Sequence, residues 1–90
     1  MTKTFQHISS PSHGWLKVTM KDAQEVGLTE FNFSSYSYYR RTLAGTEMYL
    51  EEDCDIEVFL LAYKEKHGEL PEIESVYSDN SGIESMRRLP

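Results

Sequence analysis

Ile56-Glu57-Val58-Phe59-Leu60-Leu61-Ala62-Tyr63-Lys64-Glu65-Lys66-His67-Gly68 is the stretch on which the fold turns. Ile56, Phe59, Leu60 and Tyr63 stand at i, i+3, i+4 and i+7, which puts four apolar side chains in one stripe. The spacing predicts a helix over about residues 54–67, with Asp53 or Asp55 capping its start. Lys64, Lys66 and His67 sit at its negative pole, and Gly68 supplies the stop. A helix with one apolar stripe has to lay it on another layer, so the flanking sequence must provide a sheet.

It does so on both sides. Upstream, Thr46–Leu50 alternates, with Met48 and Leu50 on one face and Glu47 and Tyr49 on the other. Phe31 to Tyr39 reads as extended and aromatic. The pairing expected is an antiparallel hairpin of Tyr36–Arg40 with Thr46–Glu51, closed by a longer loop containing Gly45. Further upstream, Thr2–Ile8 and Trp15–Val18 read as strands separated by the turn-rich Ser9-Ser10-Pro11-Ser12-His13-Gly14. Thr19 with Asp22 three residues on forms an imperfect capping box for a short helix ending before Gly27. Downstream, Leu70-Pro71 breaks the chain and Glu72–Tyr77 reads as an edge strand, given its proline and charges. The fold class predicted is α+β: a small, mainly antiparallel sheet of four to five strands with two helices on one face. Residues 1–80 form the single domain and residues 81–90 a loosely attached tail.

Ninety residues suit one core, and Phe5, Trp15, Phe31, Phe33, Phe59 and six tyrosines are enough to fill it. Cys54 is the only cysteine, which rules out an internal disulfide and suits a reducing compartment. The longest apolar run, Val58–Tyr63, is too short to span a bilayer, and no apolar h-region follows Met1. A cytoplasmic protein without membrane insertion is therefore expected.

The net charge of −6 is unevenly placed. Residues 1–45 hold five Lys/Arg against three acids, and residues 46–90 hold four against twelve. A field of that sign disfavours wrapping nucleic acid and favours a basic partner surface. The acidic run Glu51-Glu52-Asp53-Cys54-Asp55 lacks the spacing and the glycine of a calcium loop, so no metal and no cofactor is expected there. Cys54 has no motif linking it to His7, His13 or His67, and the preferred reading is a small buried hydrophobe rather than a nucleophile. No enzymatic activity is expected. Ser34-Ser35-Tyr36-Ser37-Tyr38-Tyr39-Arg40-Arg41 interleaves hydroxyls, aromatics and guanidinium groups, a mixture suited to a protein interface or to single-stranded nucleic acid. Trp15, preceded by His13 and Gly14, reads first as a core anchor and second as an interface residue.

Ser12-His13-Gly14-Trp15-Leu16-Lys17-Val18, Ser35-Tyr36-Ser37-Tyr38 and Tyr49-Leu50-Glu51-Glu52-Asp53-Cys54-Asp55 together resemble a family of small proteins carried by bacterial phages and other mobile elements. The resemblance spans about residues 12–80 and transfers no catalytic residue. It implies a host-cell cytoplasmic protein that inhibits or modulates host machinery, of the anti-CRISPR or anti-restriction kind. The partner expected is a host protein, such as a nucleic-acid-handling effector with a basic groove. The partner-binding residues expected are Glu51, Glu52, Asp53, Asp55 and Glu57 on an acidic face, with Tyr36, Tyr38, Arg40 and Arg41 on the hairpin. The alternative is a nucleic-acid-binding accessory protein using that same Tyr/Arg hairpin, and homodimerisation through edge strands is left open.

Overall fold

The computed structural model describes residues 3–11, 13–79 and 82–90. Their order is β1 (Thr4–Ser9), β2 (Gly14–Thr19), α1 (Met20–Glu25), β3 (Tyr38–Thr42), β4 (Gly45–Glu51), α2 (Ile56–His67), β5 (Glu72–Tyr77) and β6 (Arg87–Arg88). Single 3₁₀ turns lie at Glu30–Asn32 and Ile83–Ser85. The fold is α+β, with both helices on one face of a six-stranded mixed sheet of order β5-β1-β2-β4-β3-β6.

All neighbours pair antiparallel except β1 and β5. The exception follows from α2. This helix carries the chain back along the sheet from the end of β4, so β5 starts at the same end as β1 and must run parallel to it. The stripe read from the sequence does the packing: Phe59 and Tyr63 are buried against Phe5, Leu16, Val18, Met48 and Leu50. Phe5 meets Phe59 edge-on at 5.2 Å and Tyr63 at 5.9 Å. Burying a ring such as Phe59 contributes about 1.5–3 kcal/mol. At the helix end Gly68 adopts φ 81°, and its N–H closes on the Lys64 carbonyl.

The capping box at Thr19 is present in full, the Asp22 N–H donating to Thr19 Oγ1 and the Thr19 N–H to Asp22 Oδ2. Asp22 is buried and also receives the Lys3 ammonium, which ties β1 to α1. Desolvation pushes the Asp22 carboxyl up, but the Lys3 hydrogen bond and the amide and hydroxyl of Thr19 outweigh it and hold the group below its ordinary value of 3.8. The stabilisation is therefore complete above the unfolded value and is lost as pH falls through the depressed folded one. Asp22→Asn is expected to cost about 1–2 kcal/mol near neutral pH. Asn keeps an oxygen for the Thr19 N–H, as Asn32 does for Thr29, so the cost is that of the charge lost beside the helix N-terminus and the Lys3 ammonium, the latter discounted because Lys3 is half-solvated. The substitution should also flatten the acid-side loss of stability. Urea unfolding of both proteins from about pH 7 down to about pH 2 checks this, and parallel pH profiles would mean that no proton is linked to Asp22.

The other side of the sheet carries a second, smaller core of Trp15, Tyr38, Tyr49 and Ile83. Of residues 81–90, expected to hang loosely, Ser81 lies outside the described residues and residues 82–90 form a strap across this face: Ile83 is 1% exposed, β6 pairs with β3, and Leu89 is buried on the helix side. The physical reason is that Trp15, Tyr38 and Tyr49 would leave a large aromatic surface in water without a cover. The strap and its strand account for the sheet exceeding the expected width.

Two further expectations are corrected. Residues 31–37 are not a strand: Thr29 caps a 3₁₀ turn, and Phe31, read as core, is 75% exposed. Alternation in Phe31-Asn32-Phe33 mimics a strand, but the local cap and the pull of Asp55 on Ser34 fold the segment into turns. The hairpin joins β3 to β4 through Leu43-Ala44 alone, shorter than expected, with Gly45 at φ 129° absorbing the reversal.

Candidate functional site

A cleft of about 480 Å³ opens where the strap meets the ends of β2, β3 and β4, lined by His13, Trp15, Tyr36, Tyr38, Glu51, Asp53, Cys54, Glu84 and Arg88. Its floor is aromatic. Trp15 and Tyr38 meet edge-on at 5.3 Å, and His13 lies against Trp15 at 5.6 Å. These rings are brought together by register: strand alternation directs Trp15, Tyr49 and Tyr38 to the face away from the helices. Tyr36, 61% exposed, stands at the rim.

The walls carry three carboxylates, from Glu51, Asp53 and Glu84, against one cation, Arg88. The Arg88 guanidinium carbon lies 5.7 Å from the centre of the Tyr38 ring, within cation–π range. Glu84 approaches His13 at 3.8 Å. Glu51 Oε2 accepts the N–H groups of Asp53 (3.0 Å) and Cys54 (2.9 Å), which fixes the turn that presents Asp53.

Beneath this turn lies a buried polar junction. Asp55 Oδ1 and Oδ2 accept the Ser34 N–H at 2.9 and 3.0 Å, and Oδ2 also accepts the hydroxyls of Ser34 (2.7 Å) and Ser37. Ser37 in turn accepts the Glu51 N–H at 2.8 Å, and its carbonyl takes the Leu89 N–H. The segment carrying Tyr36 is thereby clamped to β4, α2 and the strap. Asp55 makes no side-chain cap to α2, contrary to one of the two caps foreseen.

The expected partner-binding residues separate accordingly. Tyr36, Tyr38, Glu51 and Asp53 come together in the cleft. Asp55 is a correction: at 3% exposed it is spent on Ser34 and Ser37 and presents no charge outward. Tyr38 is a second correction, being buried under Arg88 rather than offered for stacking. Glu52 points to the helix side, 3.7 Å from His7, over Gly14, where any β-carbon would collide with its carboxylate. Glu57 is exposed in the first turn of α2, away from the cleft. Arg40 is held by Glu47 at 2.7 Å in a network with Lys17 and the buried Tyr49, and Arg41 projects on the opposite face of β3. Sequence reasoning missed Glu84 and Arg88; Ile83, Met86 and Leu89, three residues apart in an otherwise polar tail, were the signal that this segment docks.

Cys54 is exposed, not buried as expected, because the turn after β4 turns it outward. Desolvation and the Glu51, Asp55 and Asp53 carboxylates raise its thiol above the ordinary value, the direction opposite to that of an activated nucleophile. Among the described residues no three His, Cys, Asp or Glu side chains are placed to hold one metal ion. No described helix is long and apolar enough to cross a membrane. In comparisons with known proteins the chain matches no family model, no curated protein and no solved structure.

Proposed function

We propose that this chain is a non-enzymatic binding protein that receives a basic side chain of a partner protein in the acidic aromatic cleft. The observation that carries the reading is the chain's own Arg88, whose guanidinium lies on Tyr38 in a cleft with three carboxylates and an exposed Tyr36. The site takes a guanidinium already, and three acids against one arginine leave charge for a second cation. The half-domain charge asymmetry would steer such a partner in. Inhibition of a host nucleic-acid-handling effector, the role implied by the resemblance to mobile-element proteins, is compatible with this chemistry, because the grooves of such effectors are rich in arginine and lysine. That role places the protein in the cytoplasm of a bacterial host.

The test is the fluorescence anisotropy of a short labelled arginine-rich peptide titrated with the protein at low salt. Binding that weakens as salt rises is expected, and Asp53→Lys combined with Glu84→Lys should lower affinity by roughly tenfold or more. Glu65→Lys, an exposed change on α2 away from the cleft, serves as the control. Absence of binding, or an equal loss in the control, would overturn the cleft as the binding site.

A further inference from the structure

Four of the nine Lys/Arg residues gather on two adjacent short strands: Arg40 and Arg41 on β3, Arg87 and Arg88 on β6. The pleat then sorts them by face. Arg88 pairs with Tyr38 and points into the acidic cleft, whereas Arg87 pairs with Tyr39 on the helix side. Arg41, two residues beyond Tyr39 on the same strand, shares that side. The result is a second hollow of about 530 Å³, lined by Tyr39, Arg40, Arg41, Ser85, Met86 and Arg87, with no carboxylate in its wall.

This arrangement is unusual for a chain of net charge −6. Arg40 is neutralised by Glu47, but among the described residues no carboxylate lies within ion-pair distance of Arg41 or Arg87. Glu30 shares a wall with Arg41 in an adjoining hollow. Arg87 stands opposite Tyr39, so the two arginines are diagonal neighbours on one face of the sheet, about 7–8 Å apart at the backbone and within reach of one shared anion. With fifteen acids in the sequence and none paired to this couple, the position leaves room for an external anion. Guanidinium groups fit phosphate oxygens in a bidentate manner, and Ser85 adds a hydroxyl. Tyr39, directly opposite Arg87 and two residues from Arg41, is half-buried and packed from below by the main core, and offers a fixed ring.

The geometry points to a nucleotide-phosphate site at Arg41, Arg87 and Tyr39, with phosphate held by the two arginines and a base stacked on the tyrosine. A planar ring beside two phosphate-binding forks distinguishes a nucleotide from a simple anion or an acidic peptide, neither of which uses the aromatic floor. The hollow has the size range of small-ligand sites. It shares no residue with the acidic cleft, so substitutions in the lining of one site leave the lining of the other intact.

The experiment titrates the protein into a labelled single-stranded oligonucleotide near 0.1 M salt, where the repulsion from its net charge is screened over about 10 Å. Expected are saturable binding and a salt slope of roughly −1.4, the value for two phosphates on a single strand. Arg41→Glu with Arg87→Glu should lower affinity at least tenfold, and Tyr39→Leu at least fivefold, the range for loss of one stacked base. Unchanged thermal unfolding would exclude misfolding as the cause. Adenosine triphosphate as competitor distinguishes the sources: full displacement at equal phosphate concentration assigns a free nucleotide, and weak displacement assigns a strand. Either result supports the site. No binding of either probe, binding unaltered in the arginine variant, or equal competition by a polyglutamate peptide would overturn it.

Discussion

Asp55→Ala is expected to lower the unfolding free energy by about 3–4 kcal/mol, a large share of the roughly 5–15 kcal/mol typical of a domain. The carboxylate accepts from the Ser34 amide and from the hydroxyls of Ser34 and Ser37, and it is almost fully buried. Truncation leaves these donors facing a void, and each buried unsatisfied group costs about 1–3 kcal/mol, relieved in part where water can enter. The damage should spread along the junction, because Ser37 also receives the Glu51 N–H and gives its carbonyl to Leu89. Asp55→Asn, which keeps one oxygen acceptor, should lose about half as much. Urea unfolding at matched pH provides the check. A shift worth less than about 1 kcal/mol would mean that water replaces the carboxylate without strain, and that the clamp is dispensable.

Ile83→Ala is the second large effect, at about 2–4 kcal/mol. Ile83 closes the aromatic patch of Trp15, Tyr38 and Tyr49, and its removal either leaves a cavity or frees the strap. The sole tryptophan separates these cases. A cavity leaves Trp15 shielded, with blue-shifted emission and reduced stability. Detachment of the strap exposes Trp15 and shifts its emission to the red, and it also dissolves the cleft, since Glu84 and Arg88 leave with the segment. Native stability with native emission would show that the strap contributes little to the fold.

Much of the fold was legible because its signals are local. The period-3.6 stripe of Ile56, Phe59, Leu60 and Tyr63, the Thr19–Asp22 cap, Gly68 at a helix end and the alternation of Thr46–Leu50 each state a backbone preference within a few residues. The errors share a different cause. Phe31–Ser37 alternates like a strand, yet its conformation is decided by Asp55, more than twenty positions away. Asp55 itself reads as a surface charge in an acidic run, and only its hydrogen bonds to the Ser34 and Ser37 hydroxyls make it an interior residue. Of the candidate site, Tyr36, Tyr38, Glu51 and Asp53 were named from the sequence, while Glu84 and Arg88 were not, because three apolar residues in a short polar tail do not say which surface they will cover.

By itself, then, the sequence determined the class of the fold, the two helices, most of the strand segments and the excess of negative charge in the second half. These depend on neighbour-range sterics, capping and composition, which a linear string records. Only the tertiary structure decided that β5 runs parallel to β1, that residues 82–90 cover the second face, and that the acids divide between a buried junction and an open cleft. It also decided that four arginines on two strands point to opposite sides. Those outcomes depend on which distant surfaces meet, and on the burial that pairs or orphans each polar group, quantities that exist only once the chain has closed on itself.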